Sequence, residues 1–315
     1  MQFKAVTIKD IARALNMSTS TISRALRESH EISDETKKRV LSYAREVNYR
    51  PNPIALSLKE RRSRSIGVIV AEIANTFFSQ VINGIESIAY DRGYHVIISQ
   101  SHESFERELI NLEYLSSRSV DGLLISLSLD TTEVSHIRPY HDKGLPIVFF
   151  DRAGEGIDTH KVIIDNFQGA YAATSHLIHN GFTRIAHITF SEKLGLTQER
   201  LKGYRQALNE HGLPFCPDYI KNCSHEQTVW SEVDKSIHDL LALTPRPDAV
   251  FAASDRLTMA SMLALSRAGI RIPQDMALTG FSNSETVDLL SPPLTAIKQP
   301  AFEMGQTATE LLSGL

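Results

Sequence analysis

From Ser65 onward the chain alternates short, unbroken apolar runs with helical stretches, and this alternation leaves few folds open to it. The runs are SIGVIV (65–70), HVIISQS (95–101), GLLISLS (122–128), IVFFD (147–151), VIID (162–165), RIAHITF (184–190), AVFAAS (249–254) and MALTGFS (276–282). Continuous apolar strands separated by helices belong to a parallel sheet covered on both faces. Several intervening helices close at a glycine, at Gly93, Gly144, Gly181, Gly212 and Gly269, where a left-handed cap is expected. So many βα units in about 250 residues imply two doubly wound sheets. Ligands of such folds bind beyond the strand C-termini, here in the cleft between the lobes.

The first 64 residues read differently. They hold 14 Lys and Arg against 7 Asp and Glu, a net of +7; residues 65–315 carry 19 against 30, a net of −11. A basic head on an acidic body places any polyanion on the head. Ile8, Ile11, Ala12 and Leu15 share one helical face, with Thr7 as N-cap and Asp10 closing a capping box. The helix stops at Asn16, and Met17 fills the corner. Ser18 caps a second helix, TSTISRALRES, with Ile22, Ala25 and Leu26 inward. Ser33 caps a third, DETKKRVLSYAREVN, with Val40, Ala44 and Val47 inward. Two short helices joined by a tight turn and followed by a third describe a helix-turn-helix, whose second helix enters the major groove of DNA. Its leading residues Thr19, Ser20 and Thr21, then Ser23 and Arg24, are short or fork-shaped donors suited to base edges and phosphates. After Pro51, Asn52 and Pro53 start a short helix, IALSLKE, marginal alone in water and expected to fold against a partner or DNA.

Other classes are disfavoured. No stretch approaches ~18 consecutive apolar residues, so no membrane span is expected. The opening MQFKAVTIKD has no apolar signal core, which implies a cytoplasmic, nucleoid-associated protein. Cys216 and Cys223 are the two cysteines, too few for a disulfide scaffold or a zinc site of their own. No phosphate-binding glycine motif, metal-spaced His/Cys group or G-x-S-x-G elbow is present, so no enzyme, cofactor or metal is expected.

The strings VTIKDIARALNMSTSTISRAL and VNYRPNPIALSL resemble the DNA-binding head and hinge of the LacI/GalR (lactose-repressor) family. The landmarks IGVIV, NTFFS, RSVDGLLI, LPIVFFDR, VIIDN, ERLKGY, PDAVFAASD, IPQDMALTGFSN and LTAIKQP resemble its effector domain, itself similar to periplasmic sugar-binding proteins. The resemblance implies an all-α helix-turn-helix head (1–50), a hinge helix and linker (51–64) and an α/β periplasmic-binding-protein-like body (65–315). Lobe 1 is expected at about 65–165 plus 296–315, and lobe 2 at about 166–295. It also implies a homodimer on a palindromic double-stranded DNA operator. Thr19, Ser20 and Arg24 would read bases, with Thr7, Thr21, Ser23, Asn52 and Lys59 on the same DNA-facing set, and Leu58 would enter the minor groove. Leu56 stands where many members carry arginine.

For the effector, the resemblance points to Phe77 and Phe78 as an aromatic wall and to Asp151 and Arg152 as a clamp on sugar hydroxyls. Asp165 would lie by the crossover, Arg200 would reach in from the second lobe, and His225 falls near an aromatic position. Asp255 either caps a helix or meets ligand. Ser282 replaces the family's aspartate in the segment Gly280-Phe281-Ser282-Asn283, and Leu194 and Leu196 stand where polar groups are common. A sugar-like effector is the first expectation; a non-sugar metabolite or a protein coregulator is the alternative, and a sugar-binding module without DNA function a remote one. In the family the chain normally continues past TELLSGL into a strand returning to the second lobe. With no leucine-heptad extension, a dimer is expected rather than a tetramer.

Overall fold

The computed structural model describes residues 6–50, 62–190, 195–224 and 228–314. The chain divides into two compact units, residues 1–64 and 65–315.

The first unit contains α1 (Ile8–Leu15), α2 (Thr19–Leu26) and α3 (Asp34–Glu46). The sequence-level caps are present: Thr7 and Asp10 form a reciprocal capping box, and the Ser18 and Ser33 side chains accept the amides of Thr21 and Thr36. Both α2 and α3 end two or three residues earlier than their apolar spacing suggests. A left-handed residue follows each helix, with φ of 50° at Asn16, 56° at Glu28 and 49° at Asn48. In the last case the Tyr49 amide donates back to the Ala44 carbonyl at 2.8 Å, closing the helix. Ile11, Ala12, Ile22, Ala25, Val40 and Ala44 are buried together, and Met17 packs at the rim of this core.

The second unit is two parallel sheets. The first contains β1 (Ser65–Val70), β2 (His95–Gln100), β3 (Gly122–Ile125), β4 (Ile147–Phe150) and β5 (Lys161–Val162), in the order β2-β1-β3-β4-β5. Its helices are α4 (Thr76–Asp91), α5 (Phe105–Ser117) and the short α6 (Arg138–Asp142). The chain then crosses into α7 (Asn166–His179), β6 (Ile185–Phe190), α8 (Gly195–Glu210), β7 (Ile220–Cys223), α9 (Val229–Leu241), β8 (Ala249–Ala252), α10 (Asp255–Arg267), β9 (Ala277–Phe281) and β10 (Ala296–Ile297). The second sheet has the order β10-β9-β8-β6-β7. It returns through α11 (Ala301–Gly314), which packs on α4 and joins the first lobe's core through Ala301, Met304, Ala308 and Leu312.

Three details differ from the expected layout. The edge strands β7 and β10 were not among the apolar runs: one reads Ile-Lys-Asn-Cys, the other is two residues long. β5 is Lys161–Val162, so VIID is mostly a connector. Because β10 pairs with β9, residues 296 and 297 belong to the second sheet, and the return to lobe 1 falls just after them rather than at 296.

The lobes are stiffened by helices in backbone contact. A Cβ on Gly84 would lie 2.0 Å from the Phe302 carbonyl oxygen, so α4 and α11 touch main chain to main chain. A Cβ on Gly203 would lie 2.2 Å from the Phe167 carbonyl oxygen, fixing α8 against α7 in the same way. Among the described residues no helix is long and apolar enough to cross a membrane.

Beneath the second sheet's helices, the His187 ring stacks between Tyr204 and Phe251, with centroids 5.0 and 4.7 Å away and planes 16° apart in both cases. His187 is fully buried, and its Nδ1–H donates to the Phe251 carbonyl at 3.2 Å. Burial pushes the imidazole down to about 4, and the nearby Arg200 charge acts in the same direction. The folded state therefore refuses a proton that the unfolded chain accepts below pH ~6.5. Stability is complete above that pH and falls as pH drops toward 4, by on the order of 3 kcal/mol. His187→Phe keeps the stack and removes the titration. Urea melts between pH 7 and 4 are expected to show a smaller acid loss in this variant than in the parent.

Candidate functional site

On the head, Thr19 and Ser20 sit exposed on the first turn of α2, and Arg24 is exposed one turn later. Ser23 is half-buried. The Thr21 hydroxyl lies 2.8 Å from that of Ser18, and its amide is held by the same serine. Thr21 therefore helps to fix the start of the helix. Thr7 does the same for α1, its hydroxyl 2.7 Å from Asp10 Oδ2. Arg24 Nη1 rests 3.2 Å from Glu31 Oε2, an exposed ion pair of the kind worth less than about 1 kcal/mol. Asn52, Leu58 and Lys59, with Leu56, lie outside the described residues.

In the body, the C-terminal ends of both sheets face one cleft. Phe77 and Phe78 line it from the first turn of α4, packed edge to face with centroids 5.2 Å apart. Asn75 caps that helix through the Phe77 amide at 2.9 Å. Asp151 and Arg152 follow β4 and line the cleft beside them. From the second lobe come Thr189, Phe190, Leu196, Thr197, Arg200 and Asp255, with Gln299 from the return crossing.

The charges are interlocked. Asp151 is buried and adopts φ +58°, a left-handed conformation that a non-glycine residue holds at a cost. Burial raises its carboxyl pKa, while the Arg152 and Arg200 charges lower it. Arg200 is also buried; its Nε donates to Asn166 Oδ1 at 2.8 Å, its Nη1 donates to the Ala253 carbonyl, and its guanidinium lies 3.8 Å from the Phe281 ring centroid. Burial brings Arg200 down to about 10, with Asp151 opposing. Arg152 Nη1 is held 2.5 Å from Glu103 Oε2, which also accepts the Leu129 amide at 2.7 Å. Arg152 is thus held in place by protein groups alone.

The remaining expected residues divide. Asp255 lines the cleft as the first residue of α10, but Ser254 is that helix's cap, accepting the Leu257 amide at 3.3 Å. Ser282 stands behind Asp255 and donates its hydroxyl to Oδ1. Asp165 does not end a strand and is not among the lining residues: it caps α7 through the Gln168 amide at 2.8 Å. Its neighbour Asn166 reaches the site instead, through Arg200. His225 and Leu194 lie outside the described residues. Glu103 and Asn283 escaped the sequence reading because their roles come from partners distant in the chain; Asn166 was expected beside Asp165 at a strand end and instead opens α7 and holds Arg200.

A neutral bridge spans the cleft. Asn283, 2% exposed, follows β9 in lobe 2; Gln80 belongs to α4 of lobe 1. Asn283 Nδ2 donates to Gln80 Oε1 and to the Gln299 carbonyl, both at 2.8 Å. Gln80 Nε2 donates back to the Asn283 carbonyl at 3.2 Å, and the Gln299 amide to Asn283 Oδ1 at 3.1 Å. Among the described residues no three or more His, Cys, Asp or Glu converge to hold a metal ion.

A helix-turn-helix unit followed by a two-lobed unit with a built cleft is the plan of a DNA-binding regulator with an effector-binding cleft. Comparison with known proteins agrees. Residues 7–52 match the bacterial regulatory proteins of the lacI family, and residues 174–315 match the periplasmic binding protein-like domain. The HTH-type transcriptional repressor PurR of Vibrio parahaemolyticus is 36% identical over 308 residues, covering 97% of this chain and 90% of that one. A putative ribose operon repressor from Burkholderia thailandensis superposes with a TM-score of 0.72 at 32% identity, over 80% of this chain and 94% of that chain. The transcriptional regulator CelR in complex with cellobiose gives 0.71 at 28% identity, over 98% and 92%. The chain belongs to the LacI family of transcriptional regulators.

The amide bridge makes a direct forecast. Gln80→Ala strips Asn283 of a buried partner, and the cost of such an orphan is about 1–3 kcal/mol. Thermal unfolding is expected to show that loss, and small-angle scattering of the variant a wider separation of the lobes.

Proposed function

We propose that the protein is a transcriptional repressor that binds a palindromic operator as a homodimer in the cytoplasm and is controlled by a sugar or sugar derivative in the inter-lobe cleft. The observation that carries the effector reading is the pre-oriented Asp151–Arg152 pair facing Arg200. A carboxylate between two fork-shaped guanidinium groups supplies both the acceptor and the donors that vicinal hydroxyls require. Phe77 and Phe78, with Phe190 from the second lobe, add the apolar surface that the faces of a sugar ring use. The cellobiose complex of CelR and the ribose operon assignment of the Burkholderia protein favour the same class. A non-sugar metabolite is the second reading: Leu196 and the Ser282 replacement, which leave the second lobe less polar, point that way.

On DNA, Thr19, Ser20 and Arg24 read base edges, Thr7, Thr21 and Ser23 position the head, and Asn52, Leu58 and Lys59 serve the hinge and minor groove. One head presents one reading helix, so a palindrome calls for two chains. Lobe 1 offers a surface for pairing: β2 is an edge strand with Ile98 exposed, and Tyr90, Ile110 and Tyr114 are exposed on α4 and α5. Effector acts by preferring one lobe geometry over the other, and the shift it causes is limited by that difference in affinity.

Selection of binding sites from a random DNA pool at fixed salt, followed by calorimetry with a panel of sugars, purines and small acids, tests both halves. A two-fold symmetric consensus is expected, and Arg24→Ala should lose about 1–3 kcal/mol of discrimination at one base position per half-site. Enrichment of no consensus, with or without the metabolite panel, would sink the operator reading. Heat with a purine or acid but with no sugar would sink the effector class alone.

A further inference from the structure

At the far end of the second lobe from the cleft, two histidines meet. His179 ends α7, and His211 follows the last residue of α8. They are 32 positions apart in sequence, yet their Nε2 atoms stand 3.5 Å apart and the rings meet edge to face, with centroids 5.1 Å apart. Two imidazole nitrogens bound to one tetrahedral zinc at ~2.0–2.1 Å lie about 3.3–3.4 Å from each other, which is nearly this separation.

The protonation pattern also suits a ligand pair. His211 Nδ1 lies 2.8 Å from the Ala207 carbonyl, an acceptor only, so Nδ1 carries the proton and Nε2 presents its lone pair toward His179. A backbone carbonyl behind a ligating imidazole is the usual device that fixes the ring and raises its basicity. The surrounding field favours a cation. Both helices end here, so the negative ends of two macrodipoles converge. The Glu210 carboxylate is adjacent in sequence, held by the Tyr171 hydroxyl and by Gln206 Nε2, the latter at 2.7 Å. The backbone contact at Gly203 fixes the two helices against each other, so the ligand pair sits on rigid elements. His179 is exposed and His211 half-exposed, which leaves the remaining coordination positions to water.

We propose that His179 and His211 form a two-imidazole site for a late first-row divalent cation, zinc being the reference ion. The site clips the C-terminal ends of α7 and α8 together. The opposite ends of the same two helices carry Asn166 and Arg200, so the clip fastens the frame on which the cleft arginine is held. This assignment is independent of the effector's identity.

The experiment is calorimetric titration of the full chain with zinc chloride in a non-coordinating buffer at neutral pH, for the parent and for His179→Gln, His211→Gln and His176→Gln. One zinc per chain is expected in the parent. Either ligand substitution should weaken it at least about tenfold, because a chelate needs both nitrogens. His176→Gln, an exposed histidine one turn earlier on α7, should leave it unchanged. Zinc should raise the melting temperature of the parent and not of the two ligand variants. One equivalent of copper(II) on the parent should give a paramagnetic resonance spectrum with coupling to two nitrogens, a readout that needs no variant. Zinc isotherms that are the same in the parent and both ligand variants, or a copper spectrum with a single nitrogen, would overturn the proposal.

Discussion

A guanidinium cannot be buried without partners, and the cleft is organised around that requirement. Arg200 is almost wholly withdrawn from water, and each of its contacts comes from a different part of the chain: Asn166 at the start of α7, the Ala253 carbonyl after β8, and the face of Phe281 at the end of β9. An isolated charge in such a place would cost many kcal/mol. Asp151 of the first lobe offsets it electrostatically, so the charge of one lobe is settled partly by the other. The relative placement of two sheets is therefore written into the environment of one side chain. The left-handed backbone at Asp151 is consistent with this: the turn after β4 is held in a disfavoured conformation where its carboxylate is needed.

Rigid support lies behind the charges. The aromatic column of Tyr204, His187, Phe251 and Phe281 fills the space between the second sheet and the helices that present Arg200. On the other side, Glu103 holds Arg152 by one carboxylate oxygen that also anchors the Leu129 amide. Both arginines are thus oriented by protein groups, and a ligand that meets them spends little on ordering them.

Much of this was legible in the chain. Apolar runs located the buried strands because parallel strands covered on both faces must be apolar throughout. Capping residues located the head's three helices to within a few positions, since Thr7, Ser18 and Ser33 have few other uses in such contexts. The placement of Asp151 and Arg152 on the cleft was legible through the family resemblance of LPIVFFDR, whose last two residues follow directly on β4. What stayed hidden was made by distance. Glu103 and Arg152 are 49 positions apart, Gln80 and Asn283 are 203 apart, and no local pattern marks either pair. β7 was hidden for a different reason: an edge strand needs only one apolar face, and Lys221 and Asn222 break the run. Asp165 misled because an acidic residue after an apolar run fits a strand end and a helix cap equally well, and here the cap prevailed.

The bridge across the cleft is built from amides alone. Gln80, Asn283 and Gln299 carry no charge at any physiological pH, so this contact between the lobes, unlike the Asp151–Arg200 interaction, neither weakens with salt nor titrates. The head is the reverse case: its hold on a phosphate backbone rests on cations and the release of counterions, and it weakens steeply as ionic strength rises. One chain thus joins a salt-blind contact between lobes to a salt-sensitive grip. A change in cellular ionic strength would alter occupancy of DNA while leaving this neutral contact between the lobes where it was.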